Sequence, residues 1–168
     1  MAKSETKTQN PFTGEEVEET KVMTVSHEDI ASVDLIDQLK NPDSSFFCSI
    51  VDDGSRKSKV AIYNAVNSQE EHISDHIGEV IEAVDVVAHP VTLTDPETGE
   101  ITTALRTVII DNKGVKYDAV STGITSSLQK IFAIIGMPTW VDEPVKMKFK
   151  QVKTSNGMNK VNTIELVD

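Results

Sequence analysis

The chain has 168 residues, enough for one compact domain with a small appendage, and its 38% hydrophobic and 26% charged residues are ordinary for a soluble globular protein. A formal charge of −11 argues against coating duplex DNA by gross charge, and no apolar run approaches the roughly 20 residues that span a bilayer. The polar opening "MAKSETKTQNPFTGEEVEE" reads as no signal peptide, and a lone Cys48 fits a reducing cytoplasm.

The charge is unevenly spread. Residues 1–78 hold 7 Lys/Arg against 15 Asp/Glu, whereas residues 79–168 hold 9 against 12. Within 144–160, Lys146, Lys148, Lys150, Lys153 and Lys160 meet no acid in the sequence. Residues 1–25, with Glu15, Glu16, Glu18 and Glu19, read as a disordered acidic arm. A short helix follows over "SHEDIASVDLIDQLKNP", started by Ser26 with Asp29 three residues on and ended by Asn41-Pro42. Residues 1–45 are thus expected to be an arm with a short helix, and 46–168 the folded domain.

"FFCSIVDDGSRKSKVAIYNAVN" predicts a hairpin, because two β-prone runs flank Asp53-Gly54. "SQEEHISDHIG" fits either a loop or one helical turn. From Gly78 the pattern sharpens. "EVIEAVDVVAHPVTL" is a long strand whose Pro90 suggests an edge or a bulge near its end. The turn Asp95–Gly99 leads into the strand "EITTALRTVIID", and Asn112-Lys113-Gly114 leads into "VKYDAVS". Ser121 or Thr122 then caps a helix with Ile124, Leu128, Ile131 and Ile135 on one side, stopped by Gly136 and Pro138. After a loop with Trp140 come "PVKMKFKQVKT", the turn "SNG" and "MNKVNTIELV". Three strands, a helix and a closing hairpin are the element order of the OB-fold, a five-stranded Greek-key barrel with its helix between strands 3 and 4. The fold class expected is therefore mainly β: that barrel, plus the N-terminal hairpin and short helix.

Strand periodicity puts Val145, Met147 and Phe149 on one face and Lys146, Lys148 and Lys150 on the other, the lysines about 6.8 Å apart. That spacing is close to the phosphate repeat of an extended single strand. Lys153 and Lys160 bracket the final turn, in the loop that commonly clasps oligonucleotides in OB-folds. The bland alternative is a solvated face whose lysines blunt an exposed edge. Sequence-tolerant binding to single strands also needs aromatic surfaces on which bases stack. Tyr117 shares a face with Val115 and Ala119, beside Lys116 on the other face, so burial and stacking both stay open. Trp140 either pins its loop or stacks, and Tyr63 is a candidate on the first hairpin. Arg106 either reaches phosphate or forms an ion pair.

Enzymatic chemistry finds little footing. His72 and His76 stand four apart with Glu70, Glu71 and Asp75 nearby, a conceivable metal patch, yet lack the zincin helix signature and read better as a surface turn. Cys48 reads as a small core residue, and Asp52-Asp53-Gly54 as a turn. No catalytic constellation, metal or cofactor is expected.

The motifs "DPETGE", "RTVIID", "YDAVSTGI", "SLQKIFAIIG" and "PTW" occur in this order ahead of a basic strand and a closing hairpin. In this the chain resembles single-stranded-DNA-binding proteins of bacteriophages and conjugative plasmids of Gram-positive bacteria, over residues 79–167 and more weakly over 46–66. The resemblance implies an OB-fold that coats single-stranded DNA during replication or transfer of a mobile element, as an oligomer along the strand. Single-stranded RNA is a further expected ligand, since nothing visibly reads a 2′-hydroxyl. The acidic N-terminal arm is the expected contact for replication or transfer proteins. The competing expectation is a small β-barrel interaction or viral assembly protein whose lysines only solubilise an edge.

Overall fold

The computed structural model describes residues 46–168; the expected acidic arm and its short helix lie outside them. In chain order it contains β1 (Phe47–Cys48), α1 (Arg56–Val66), β2 (Glu71–His72), a single 3-10 turn (Ile73–His76), β3 (Val80–Thr94), β4 (Ile101–Asp111), β5 (Lys116–Ala119), α2 (Thr122–Ile135), β6 (Val145–Lys153) and β7 (Lys160–Leu166). One sheet runs β2-β5-β4-β3-β6-β7, with β1 added on β3. It curls into a half-barrel.

The hairpin expected over residues 46–66 is replaced by β1 and helix α1. Asp-Asp-Gly-Ser, which fits a hairpin loop, here starts a helix. Gly54 takes φ 79°, Asp52 and Asp53 accept from the amides of Gly54 and Ser55, and Ser55 caps Ser58 N at 3.1 Å. Ser58, Ile62, Ala65 and Val66 then share one helical side, and Ala65 is fully buried on the sheet. The same residues alternate tolerably as a strand, so the cap and the burial of Ala65 against Val87 and Val108 together decided between two locally plausible periods.

Strand β3 organises the sheet. Its first half pairs with β6 through Val80–Ala83, and its second half pairs with β1 on that same side. From Ala83 to Thr94 it pairs with β4. Pro90 stands opposite Leu105, beyond the reach of β1, where β3 has no second strand neighbour among the described residues; this is an edge position that tolerates a missing N–H. The bulge falls earlier than Pro90 suggested. Ala83 stands opposite Asp111 and Asp85 opposite Ile110, leaving Val84 unmatched. Neighbouring β4 residues face opposite ways, so the bulge turns Ala83 inward and Asp85 outward. Glu82, Asp85 and Val87 consequently share the outer face.

The two faces carry separate cores. Inside the curl lie Ile81, Val86, Ile109, Met147 and Phe149, closed by Ile124, Leu128 and Ile131 of α2 and by Trp140. Ile135, expected on that stripe, is 48% exposed as the last residue of α2 before Gly136. On the outer face Val87, Val108 and Ile110 are covered by Ala65, with Phe46, Cys48, Ile50 and Val66 alongside.

Helix α2 takes the free edge of β7. Ser127 Oγ accepts from Ile164 N at 3.3 Å and lies 2.9 Å from Thr163 Oγ1. Gly123 makes this approach possible, since a Cβ there would overlap the Asn162 carbonyl oxygen and Val161 Cγ1.

Candidate nucleic-acid interface

The β6–β7 hairpin carries the lysine ladder. The alternation that predicted two faces is obeyed: Met147 and Phe149 are fully buried, while Lys146 is exposed and Lys148 and Lys150 are partly so. In the tertiary structure, however, acids flank this acid-free stretch of sequence. Glu82 stands opposite Lys146 on β3. Glu165 stands opposite Lys148 on β7 and pairs with Lys150, Nζ to Oε1 3.2 Å.

At the far end of the hairpin the balance changes. Lys153 and Lys160 are directly opposite each other and both exposed, and neither forms an ion pair among the described residues. Like charges so placed destabilise a sheet, their Cβ atoms about 5 Å apart. The turn that joins them is tightly fixed. Thr154 N donates to Asn159 O at 2.8 Å, and Gly157 N donates to Thr154 O at 2.8 Å with Gly157 at φ 68°. Its tip bears Met158, 86% exposed. The hairpin thus runs from a partly neutralised end at Glu82 and Glu165 to an unneutralised cationic end.

The other sequence candidates separate clearly. Arg106 is buried on the outer face, its guanidinium 3.0 Å from Asp118 Oδ2 and donating also to the Ser68 carbonyl. It has no surface from which to reach a phosphate. Lys116, 20% exposed at the side chain, is paired with Glu70 at 3.2 Å. Tyr117 lies inside the curl, its ring 5.6 Å from Phe149 and edge-on to His76 at 5.1 Å. Trp140 is 7% exposed, held by its amide on Val84 O at 3.2 Å and by Phe132 at 6.1 Å between rings. Neither Tyr117 nor Trp140 offers a free ring face to a base. Tyr63 does: it stands out from α1 at 69% exposure, while every other Phe, Tyr or Trp ring among the described residues is buried or half-buried.

The region of "HISDH" holds polar ties. His76 bridges Glu79 at 2.8 Å and Glu71 at 2.9 Å. Those two hydrogen bonds, that to Glu79 first, raise its pKa above the ordinary imidazole value. His72 Nδ1 sits 2.8 Å from Asp118 Oδ1, a close polar contact without an aligned hydrogen bond. The two rings serve different partners, and among the described residues no three His, Cys, Asp or Glu side chains converge as a metal site. Burial, somewhat offset by the Ile50 backbone, pushes the Cys48 thiol up to about 11, which suits a packing residue. No helix among the described residues is long and apolar enough to cross a membrane.

Sequence reasoning missed the cations of α1. Arg56, Lys57 and Lys59 are exposed on its first turn, and three cations in four residues were visible. Placed on a hairpin, they alternated with no common direction.

One family model matches the chain, phage single-stranded DNA-binding protein, over residues 41–166. No curated protein and no solved structure matches it.

Proposed function

Since the chain belongs to the phage single-stranded DNA-binding protein family, we propose that it holds single-stranded DNA on the β6–β7 hairpin, along the outer face at Lys146, Lys148 and Lys150 and around the tip at Lys153 and Lys160, which the alternation turns to the opposite face. Lys146, Lys148, Lys153 and Lys160 neutralise phosphates and release their counterions, with Lys150 held back in part by Glu165. The observation that carries this reading is the exposed Lys153–Lys160 pair: two cations held opposite each other without a counter-charge among the described residues, at the open end of a lysine-lined strand. An anion laid between them relieves their repulsion. Contacts of this kind touch no base edge, so binding is independent of sequence. Single-stranded RNA has the same phosphates and is accepted too.

The half-barrel is read as an OB-fold. The succession of β3, β4 and β5, then α2, then the β6–β7 hairpin supports that reading. Its role is to bind and protect exposed strands while phage or mobile-element DNA is replicated or transferred in the host cytoplasm. It acts as a binding protein and not as an enzyme, in self-associated arrays along the strand. The acid-rich residues before 46 contact replication or transfer proteins.

The test is a titration of a fluorescent dT oligonucleotide with the full chain and with K146Q/K148Q/K150Q, at low and high salt. Tight low-salt binding that the triple variant weakens at least tenfold supports the proposal. A triple variant with parental affinity overturns the lysine face, and a parent that ignores dT altogether favours a protein-binding role for the barrel.

A further inference from the structure

Helix α1 is the second concentration of cations in the described chain, and only Lys59 has an acid, Asp52, close enough to attract it. A helix start favours acids, and α1 has none in its first turn. Instead Arg56, Lys57 and Lys59 sit there, exposed, and without an ion pair among the described residues. The neighbouring Asp52 and Asp53 are tied into the cap, bonded to Gly54 N, Ser58 Oγ and Ser55 N.

The same side of the helix carries the free aromatic. At 100° per residue Arg56, Lys59 and Tyr63 project within one sector, opposite the buried Ala65. Arg56 and Tyr63 are about 10.5 Å apart along the axis. Cations beside an exposed ring are what a sequence-tolerant single-strand site requires.

Sheet parity puts this helix on the lysine side of the molecule. Lys146 and Lys148 pair with Glu82 and Val80 on the outer face of β3. The Val84 bulge keeps Asp85 and Val87 on that face, and Ala65 of α1 packs with Val87. From Glu82 to Val87 is on the order of 15 Å along the strand.

Resting on the reading of β6–β7 as the phosphate track, we infer that α1 is a second single-strand contact. Arg56, Lys57 and Lys59 take phosphates there, and Tyr63 stacks on a base, lengthening the footprint beyond the hairpin. Lys146 to Lys153 spans about 24 Å, room for roughly four nucleotides. Short and long oligonucleotides therefore separate the two contacts.

The experiment measures affinity for dT oligonucleotides of about 6 and about 20 nucleotides, using the full chain at two salt concentrations. Lengths are set from the hairpin span. R56Q/K57Q/K59Q is expected to bind the long oligonucleotide about tenfold more weakly, with a salt slope smaller by about 2, and the short one as the parent does. Y63A is expected to lose about tenfold on the long oligonucleotide, and Y63F to retain parental affinity. All these side chains are exposed, and circular dichroism confirms that the variants fold. Parental binding of the long oligonucleotide by both R56Q/K57Q/K59Q and Y63A overturns the inference. So does an equal loss at both lengths, which would mean only a change in gross charge. A K146Q/K148Q/K150Q variant that alone binds as its parent overturns the hairpin track and leaves the α1 contact standing.

Discussion

Glu165 offers a test in which removing a charge tightens binding. Its carboxylate holds Lys150 Nζ at 3.2 Å and stands opposite Lys148. The pair is exposed, 43% and 48% at the side chains, so it adds only about 0–1 kcal/mol to stability. Glu165→Gln should leave the unfolding midpoint nearly unchanged while freeing Lys150 for a phosphate. One further neutralised phosphate on a single strand steepens the slope of log K against log salt by about 0.7. Referred to 1 M salt, that corresponds to about 8-fold tighter binding at 50 mM and about 3-fold at 200 mM. Fluorescence anisotropy with a dT oligonucleotide over a salt series gives both numbers. Adding Lys150→Gln to Glu165→Gln should erase most of the gain, which assigns it to this pair and not to the overall loss of negative charge. An unchanged slope and affinity for Glu165→Gln would show that DNA does not pass over this end of β6, and the proposed track would be wrong.

Three further predictions concern the scaffold. Gly123→Ala should destabilise by about 1–3 kcal/mol in urea, because the methyl forces α2 away from Asn162 and Val161; an unchanged midpoint would mean that α2 does not sit this close to β7. Asp118→Asn leaves Arg106 buried without its counter-charge and should cost about 3–5 kcal/mol, whereas R106M/D118N should recover part of that loss; equal stability of the single variant and the parent would place Arg106 in solvent. His76 has its pKa raised by the carboxylates of Glu79 and Glu71, so the folded state binds its proton more tightly than the unfolded state. Its contribution is present in full below the ordinary value of 6.5 and is lost as pH rises through the raised value. His76→Gln should remove that component from the pH profile of thermal unfolding, and an identical profile in variant and parent would refute the ties to Glu79 and Glu71.

What the sequence determined is what local periodicity encodes. Val145 to Lys150 alternates so regularly that Met147 and Phe149 could only face a core and the lysines only the other side. Asp95 and Gly99, and Asp111 and Gly114, mark turns by their own side-chain and backbone chemistry, so β3, β4 and β5 were legible. The four-three spacing of Ile124, Leu128 and Ile131 gave α2. Tertiary structure decided everything that depends on partners distant along the chain. Burial on Val87 and Val108 made residues 56–66 a helix where a strand was also tenable. Packing of Phe149 against Tyr117, and of Phe132 against Trp140, took two of the three candidate stacking rings into the core. Asp118, 12 positions from Arg106, claimed the arginine that sequence offered to phosphate. Glu82 and Glu165, 64 and 15 positions from their lysine neighbours Lys146 and Lys150, set how much positive charge the hairpin keeps. Charge acts through space within about 10 Å; a linear count registers only neighbours in the chain, and the sheet brings in the others.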